Sequence, residues 1–242
     1  MRPVRQPACA PHEISPEAAK RISWLRRRLL CWFARNGRSF AWREPGRMPY
    51  EVVVAEILLQ RTTAAAVARA YSGFIERYPS WTAVAQYPLE ELENALRPLG
   101  LWRRKAQAFQ HLAQSFEANN GVPCTRKELE RLPGIGPYTA SAVLALVYGR
   151  AEPLLDVNMA RVLGRFLGPP KGLEANHKRT LHAHALRLVS CKHALGVNWA
   201  ALDFGALVCR ARNPLCPECP LRARCHYARS QQFQPTSNAG VL

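Results

Sequence analysis

At 242 residues and 48% hydrophobic content the chain is too long for a peptide and too apolar for a disordered one, so one or two compact domains are expected. Thirty-four Lys and Arg against seventeen Asp and Glu leave a formal charge of +17, which disfavours an acidic or neutral partner and favours a polyanion, nucleic acid ahead of an anionic membrane surface. No run approaches the roughly 20 apolar residues of a membrane helix, and the opening MRPVRQPACAPHEISPEAA lacks the hydrophobic core of a signal peptide, so a soluble, cytoplasmic protein with no membrane partner is expected.

Residues 1–18 show no periodic apolar pattern and are expected to form a mobile arm, and 229–242 a disordered tail. Between them apolar positions recur at helical spacing, Ala is frequent and strand-like alternation is nearly absent, which predicts an all-α fold. Helices are predicted over 19–35, 50–63, 64–77, 81–86, 89–95, 101–118, 125–130, 137–148, 157–167, 175–190 and 198–208. Turn signals such as Asn36-Gly37, Pro98-Leu99-Gly100 and Gly168-Pro169-Pro170 separate them. Basic residues thicken at Arg26-Arg27-Arg28, at Arg103-Arg104-Lys105 and from Arg222 to Arg229. Any one triplet reads as a solvated helix face, but their sum suits a phosphate backbone.

Chemistry-bearing residues follow in chain order. Glu56 sits in the run YEVVVAEILL, so apolar that the helix must be largely buried. A carboxyl there is either a structural hydrogen-bonding group or one lining a cleft with a raised pKa. In LPGIGPYTA, Gly134 and Gly136 lie one residue apart just ahead of an apolar helix. That is a tight turn, which can serve as a plain connection or as a backbone N–H cradle for a phosphate. Asp is rare: fifteen of the seventeen acids are Glu, leaving Asp156 and Asp203. Asp156 stands eighteen residues after Tyr138, where capping the next helix and taking part in chemistry are both open. Its place at a helix N-terminus predicts a low pKa. Asp203, in mid-helix, reads as a structural hydrogen-bonding or ion-pair residue. Of eight cysteines, Cys9, Cys31, Cys124 and Cys191 are scattered and expected to be packing residues, whereas Cys209, Cys216, Cys219 and Cys225 are spaced C-x6-C-x2-C-x5-C. Four soft ligands this close suit zinc or an iron-sulfur cluster, with free thiols the plainer alternative.

Together these pieces resemble the helix-hairpin-helix (HhH-GPD) DNA glycosylase superfamily over roughly residues 20–228. LPGIGPYTA is similar to the family's hairpin, Asp156 to its catalytic aspartate and the cysteine spacing to its 4Fe-4S loop. The resemblance implies two helical lobes with a DNA-binding cleft between them: a central one over 43–150 carrying the hairpin, and a second from 19–42 and 151–228 carrying the cluster. It implies a 4Fe-4S cluster on Cys209, Cys216, Cys219 and Cys225, and a monomer acting on double-stranded DNA that contains a mismatched or damaged base. Asp156, Glu56 and Tyr138 fall at catalytic positions; Gln60, Arg61, Gly134, Gly136 and Thr139 fall at DNA-binding ones. Gln60, with the Leu99-Gly100-Leu101 loop, would fill the gap left by the extruded base. Lyase members carry a nucleophilic lysine where this chain has Tyr138, which implies a monofunctional glycosylase. EILLQRTTA and PLLDVNMARVLGRFLG look most like the mismatch thymine glycosylases, which remove T or U opposite G. Gln60-Arg61 departs from the pattern, mixing the Gln-Gln of adenine enzymes with the Arg-Arg of the thymine branch. The alternatives are therefore an adenine glycosylase lacking its 8-oxoguanine-reading domain and a non-catalytic lesion-binding iron-sulfur protein.

Overall fold

The computed structural model of the protein describes residues 14–118, 121–169 and 177–231. Most of the 1–18 arm, with Cys9, and the 229–242 tail beyond Gln231 lie outside the described residues, within which the structure is all-α: twelve helices and no strand. The described chain divides into two compact units, one spanning Arg38–Glu152 and one built from the segments on either side of it.

The Arg38–Glu152 unit holds α2 (Pro49–Leu59), α3 (Ala64–Arg77), α4 (Trp81–Gln86), α5 (Leu89–Leu96), α6 (Trp102–Ala118), α7 (Arg126–Leu129) and α8 (Pro137–Leu146), preceded by a 3₁₀ turn over Ala41–Arg43. Helices α2 and α8 are apolar on all sides and pack on each other at the centre: Val52 to Leu58 and Thr139 to Ala145 are buried without interruption. A helix hydrophobic all round has no solvent face to offer, so the other helices wrap this pair and place Val67, Phe74, Leu92, Phe109 and Leu112 in one core.

The second unit contains α1 (Pro16–Asn36), α9 (Val157–Leu167), α10 (His177–Val189), α11 (Ala194–Leu207) and the short α12 (His226–Gln231). Its core joins Ile22, Leu25 and Leu29 of α1 to Val162 and Phe166 of α9, Leu188 of α10 and Phe204 of α11. Arg26, one of the basic triplet of α1, is spent inside this unit, its Nε donating to Leu188 O at 2.6 Å near the end of α10.

Side-chain caps set several starts: Ser15 accepts from Ala18 N, Thr63 from Ala66 N, Ser80 from Ala83 N and Thr125 from Glu128 N. The cap at Thr63 also explains a shorter second helix than the 50–63 expected. Helix α2 stops at Leu59 because Arg61 turns left-handed (φ 53°) and Thr63 begins the next helix. Helix α1 starts at Pro16, inside the stretch expected to be a mobile arm, and α12 runs to Gln231, inside the expected tail. Helix α11 begins at Ala194, four residues earlier than expected. Its start carries no side-chain cap and Gly196 lies in its first turn, so neither usual signal is present. Cys31 and Cys124, expected to pack inside, are exposed, while Cys191 leans on the second core.

Candidate active site and cysteine loop

In the Arg38–Glu152 unit the hairpin is a rigid exposed corner. Ile135 is buried and anchors it, while Pro133, Gly134, Gly136, Pro137 and Tyr138 are exposed. Gly134 has φ 82°, and a Cβ there would lie 2.7 Å from the Cβ of Ala108, so glycine is required on two counts. At Gly136 the backbone is ordinary and a Cβ would meet nothing within 4 Å. Gly136 is the N-cap of α8 and offers no side chain, so no N-cap side chain caps the first N–H groups of that helix, which begin at Tyr138 after Pro137. Arg126 braces the corner, donating to Pro137 O at 3.3 Å, Ser141 Oγ at 2.9 Å and Glu152 at 2.8 Å.

Gln60, the C-cap of α2, sends Nε2 to Gly134 O at 2.8 Å and to Thr139 Oγ1 at 3.3 Å, tying the α2–α3 turn to the hairpin. Thr139 was expected at the DNA surface, but only 4% of it is exposed and its hydroxyl serves Gln60. It occupies the third position of a helix whose whole face there is buried, so it supports the corner from within. Arg61 is exposed, as is Leu101 in the α5–α6 turn, and both are left-handed. Glu56 sits one turn before Gln60. It is buried, its Oε2 has no hydrogen-bond partner among the described residues, and burial pushes its pKa up to about 7 against the opposing field of Arg43. A buried carboxyl oxygen without a partner is costly to keep ionised, which agrees with the direction of this shift.

In the other unit Asp156 is the N-cap of α9. Oδ1 accepts from Asn158 N and Met159 N, both at 2.8 Å, and Oδ2 from Asn158 Nδ2 at 2.7 Å. The expected low pKa is wrong in direction: burial raises it, outweighing these hydrogen bonds and the field of Arg161. The helix terminus stabilises the carboxylate, but removing most of it from water costs more. Behind it, Arg161 donates to Asn158 Oδ1 at 2.7 Å, to Gly205 O at 2.7 Å and to Cys209 O at 2.6 Å. Gly205 permits this closeness, since a Cβ there would come within 2.6 Å of the Asn158 Cβ. Sequence reasoning missed Arg161 and Gly205, and met Asn158 only as the last residue of the D-x-N pattern, with no role. Their one signal is spacing, with Arg161 three residues after Asn158 and so on its helix face. Asp203 is fully buried and makes interactions there, as expected of a structural residue.

Cys209, Cys216, Cys219 and Cys225 line one pocket together with Val162, Phe166, Phe204, Leu221 and Tyr227. Arg165 closes its rim, with one guanidinium nitrogen 3.6 Å from Cys209 Sγ and hydrogen bonds to Arg210 O and Ala211 O. Among the described residues no three Cys, His, Asp or Glu side chains converge closely enough to hold a single ion. Four soft sulfur donors around one apolar pocket match the donor set of a thiolate-bound iron-sulfur cluster and of zinc alike.

The family model described as HhH-GPD superfamily base excision DNA repair protein matches residues 54–188. The chain is 39% identical over 213 residues to the thymine-DNA glycosylase of Aeropyrum pernix, covering 86% of this chain and 95% of that protein. It is 33% identical over 202 residues to the thymine/uracil-DNA glycosylase of Methanothermobacter thermautotrophicus, covering 82% and 90%. It is 34% identical over 196 residues to an adenine DNA glycosylase of Mycobacterium tuberculosis, covering 80% of this chain and 64% of that one. Among solved structures it resembles a thermostable thymine-DNA glycosylase (TM-score 0.80, 31% identity, 87% of this chain and 98% of that one). It also resembles a trapped endonuclease III–DNA covalent intermediate (TM-score 0.76, 25% identity, 91% and 100%).

Proposed function

Since the chain belongs to the HhH-GPD superfamily of base excision DNA repair proteins, we propose that it is a monofunctional DNA glycosylase that extrudes T or U mispaired with G and hydrolyses its N-glycosidic bond. The observation that carries this reading is Asp156 at the start of α9, whose two oxygens are both engaged by donors and aimed by them. In the other unit Glu56 keeps one buried oxygen without a hydrogen-bond partner and titrates near neutrality.

Glycosidic cleavage builds positive charge on the deoxyribose as electrons leave with the base. The Asp156 carboxylate, held in aim by Asn158, stabilises that charge and accepts the proton of the attacking water. Glu56, protonated below about pH 7, supplies a proton to the departing base directly or through a water. Tyr138 stands where a lyase would need an amine, lining the base pocket by stacking or hydrogen bonding and forming no Schiff base. A G·T or G·U pair is cheaper to open than a Watson–Crick pair, which gives mismatches their advantage.

The duplex is held by phosphate contacts at the backbone N–H groups of Gly134, Gly136 and Tyr138, where the missing Gly136 side chain leaves room for close approach. Gln60 and Arg61 enter the space vacated by the base, and Thr139 positions Gln60. Cys209, Cys216, Cys219 and Cys225 would hold a 4Fe-4S cluster whose task is to shape the basic Arg210 to Arg224 loop for phosphate. When bound, that group supplies a cross-link among four separate sequence positions. Among the described residues no helix is long and apolar enough to cross a membrane. As a DNA repair enzyme acting on duplex substrate, it would work in the cytoplasm, as a monomer.

Base release from labelled duplexes carrying T·G, U·G, A·G, A·8-oxoguanine or an oxidised pyrimidine, with and without alkali, tests the reading, with Asp156→Asn as control. Alkali-dependent breaks at T·G or U·G are expected. Release at A alone would move the chain to the adenine branch, which Gln60 and the adenine relatives favour. Breaks without alkali would reveal a nucleophile other than Tyr138, and duplex binding with no release would leave a lesion binder.

A further inference from the structure

Lys105 was read in sequence as part of a solvated basic triplet, yet it is 2% exposed. Its Nζ donates to Leu58 O at 2.9 Å, in the last turn of α2, and to Thr62 Oγ1 at 2.6 Å. Both partners are uncharged oxygens, and burial pushes the pKa down to about 8. The residue also lies in the first turn of α6, where the helix dipole opposes a cation. An apolar side chain would fill this place without either penalty, so what the ammonium adds must be at the groups it bonds.

Those groups belong to the α2–α3 turn. Thr62 Oγ1, accepting from Lys105, donates in turn to Gln60 O at 3.3 Å. The side chain of Gln60 continues to the hairpin at Gly134 O. Through its own N–H, Lys105 bonds Leu101 O at 3.0 Å, and Gly100 lies against Arg61 O, where a Cβ would be 3.8 Å away. The ammonium of Lys105 thus reaches the α2–α3 turn, while its backbone N–H makes the opening bond of α6 to Leu101 O, and the exposed tips of the two turns, Arg61 and Leu101, are left-handed without being glycine. Such conformations persist only where the surroundings impose them.

We infer that Lys105 is a positioning residue for base extrusion: its buried ammonium latches the α2–α3 turn to the start of α6, and so holds Gln60, Arg61 and Leu101 in one arrangement toward the duplex. The inference rests on the glycosylase reading for its substrate, since the tips must enter a base stack for their arrangement to matter. The latch does not touch the reacting atoms, and no side-chain bond of Lys105 goes to the hairpin N–H groups proposed to hold phosphate.

Lys105→Met removes the cation with little change of volume, and Thr62→Val and Thr62→Ser separate the relay from the bulk of the side chain on a partly exposed turn. Four quantities are read on each full-length variant: melting temperature, affinity for a G·U duplex, the fluorescence rise of a 2-aminopurine beside the target as it unstacks, and the single-turnover rate of base release. Lys105→Met and Thr62→Val are expected to slow release about tenfold or more and to suppress the fluorescence rise, with affinity changed by less than about threefold. Thr62→Ser, which keeps the hydroxyl, is expected to behave as wild type. Wild-type release and fluorescence in both Lys105→Met and Thr62→Val would overturn the latch, as would a parallel fall of melting temperature, affinity, fluorescence and rate in Thr62→Val. If the wild-type protein releases no base from any duplex, the glycosylase reading fails by itself, and the 2-aminopurine signal still decides the latch.

Discussion

Arg161 is coupled to Asp156 through the amide of Asn158, which accepts from the guanidinium at 2.7 Å and donates to the carboxylate at 2.7 Å. An amide has one accepting and one donating end, so the Arg161 donor dictates which end Asp156 meets. Arg161 is in turn held by Gly205 O and Cys209 O, the latter at the first cysteine of the loop. Replacing Arg161 with Met frees the amide to rotate and to present its oxygen to a carboxylate. Base release is expected to fall about tenfold in Arg161→Met, against a loss of about a hundredfold or more in Asp156→Asn, where the charge itself is gone. Duplex affinity should change little in either. Single-turnover rates with a binding isotherm check this, and wild-type turnover by Asp156→Asn would remove that carboxylate from the chemistry.

Glu56 makes two linked predictions about pH. Its folded-state pKa, about 7, lies above the ordinary 4.5, so the folded protein binds this proton more tightly than the unfolded chain. The corresponding stability is fully present below pH 4.5 and is lost as pH rises through 7. Over that window the loss amounts to about 3 kcal/mol. Glu56→Gln, which cannot ionise, should therefore match wild type in urea melts at pH 4 and exceed it at pH 8. Activity should move the other way. Wild-type base release is expected to decline above about pH 7 as the proton is lost, and the Gln variant to be slow with that limb absent. A wild-type limb that persists in Glu56→Gln would assign it to another group.

How much of this was legible in the sequence differs between elements. The all-α class, the hairpin and most helix limits could be read because hydrophobic periodicity and turn residues are local signals, whereas Thr63 and Thr125, read as helical, are the caps of the helices that follow them. Burial of Glu56 was legible for the same reason, its neighbours being apolar on every side of the helix. The direction of the Asp156 shift was not, because desolvation depends on what the rest of the chain places around the carboxyl. Lys105 misled in the same way, since two arginines beside it in sequence point outward on other faces of α6. Gly205 could not have been assigned a purpose at all. Its closeness to Asn158 joins two helices some fifty residues apart in sequence, the kind of contact that local pattern does not encode.

The two hairpin glycines should respond oppositely to alanine. Gly134→Ala combines a left-handed φ with a Cβ 2.7 Å from that of Ala108, and is expected to destabilise the Arg38–Glu152 unit by about 2 kcal/mol, read as a lower urea midpoint. Gly136→Ala meets no protein atom and should stay within about 0.5 kcal/mol of wild type. If the hairpin backbone must come close to a phosphate, the same methyl weakens duplex binding. Normal duplex affinity in Gly136→Ala would leave Gly136 as a plain helix cap.

The cysteine loop should separate structural from chemical roles. The four thiols share one pocket with Phe166, Phe204 and Leu221, members of the second unit's core, so whatever bridges them also secures α12 and the basic loop between. Cys225→Ser removes a donor that follows the 3₁₀ turn over Arg222–Arg224. Purified anaerobically, the wild-type protein is expected to be brown, with iron and inorganic sulfide in equal amounts and the broad visible absorption of thiolate-bound iron. Cys225→Ser should lose that absorption, melt at a lower temperature and bind duplex more weakly and with a shallower salt dependence, because fewer loop arginines then meet phosphate. A colourless wild-type protein containing one zinc per chain would instead make this a closed tetrahedral site. Intact salt dependence in Cys225→Ser would detach the loop from DNA binding, leaving it to hold α12 against α9.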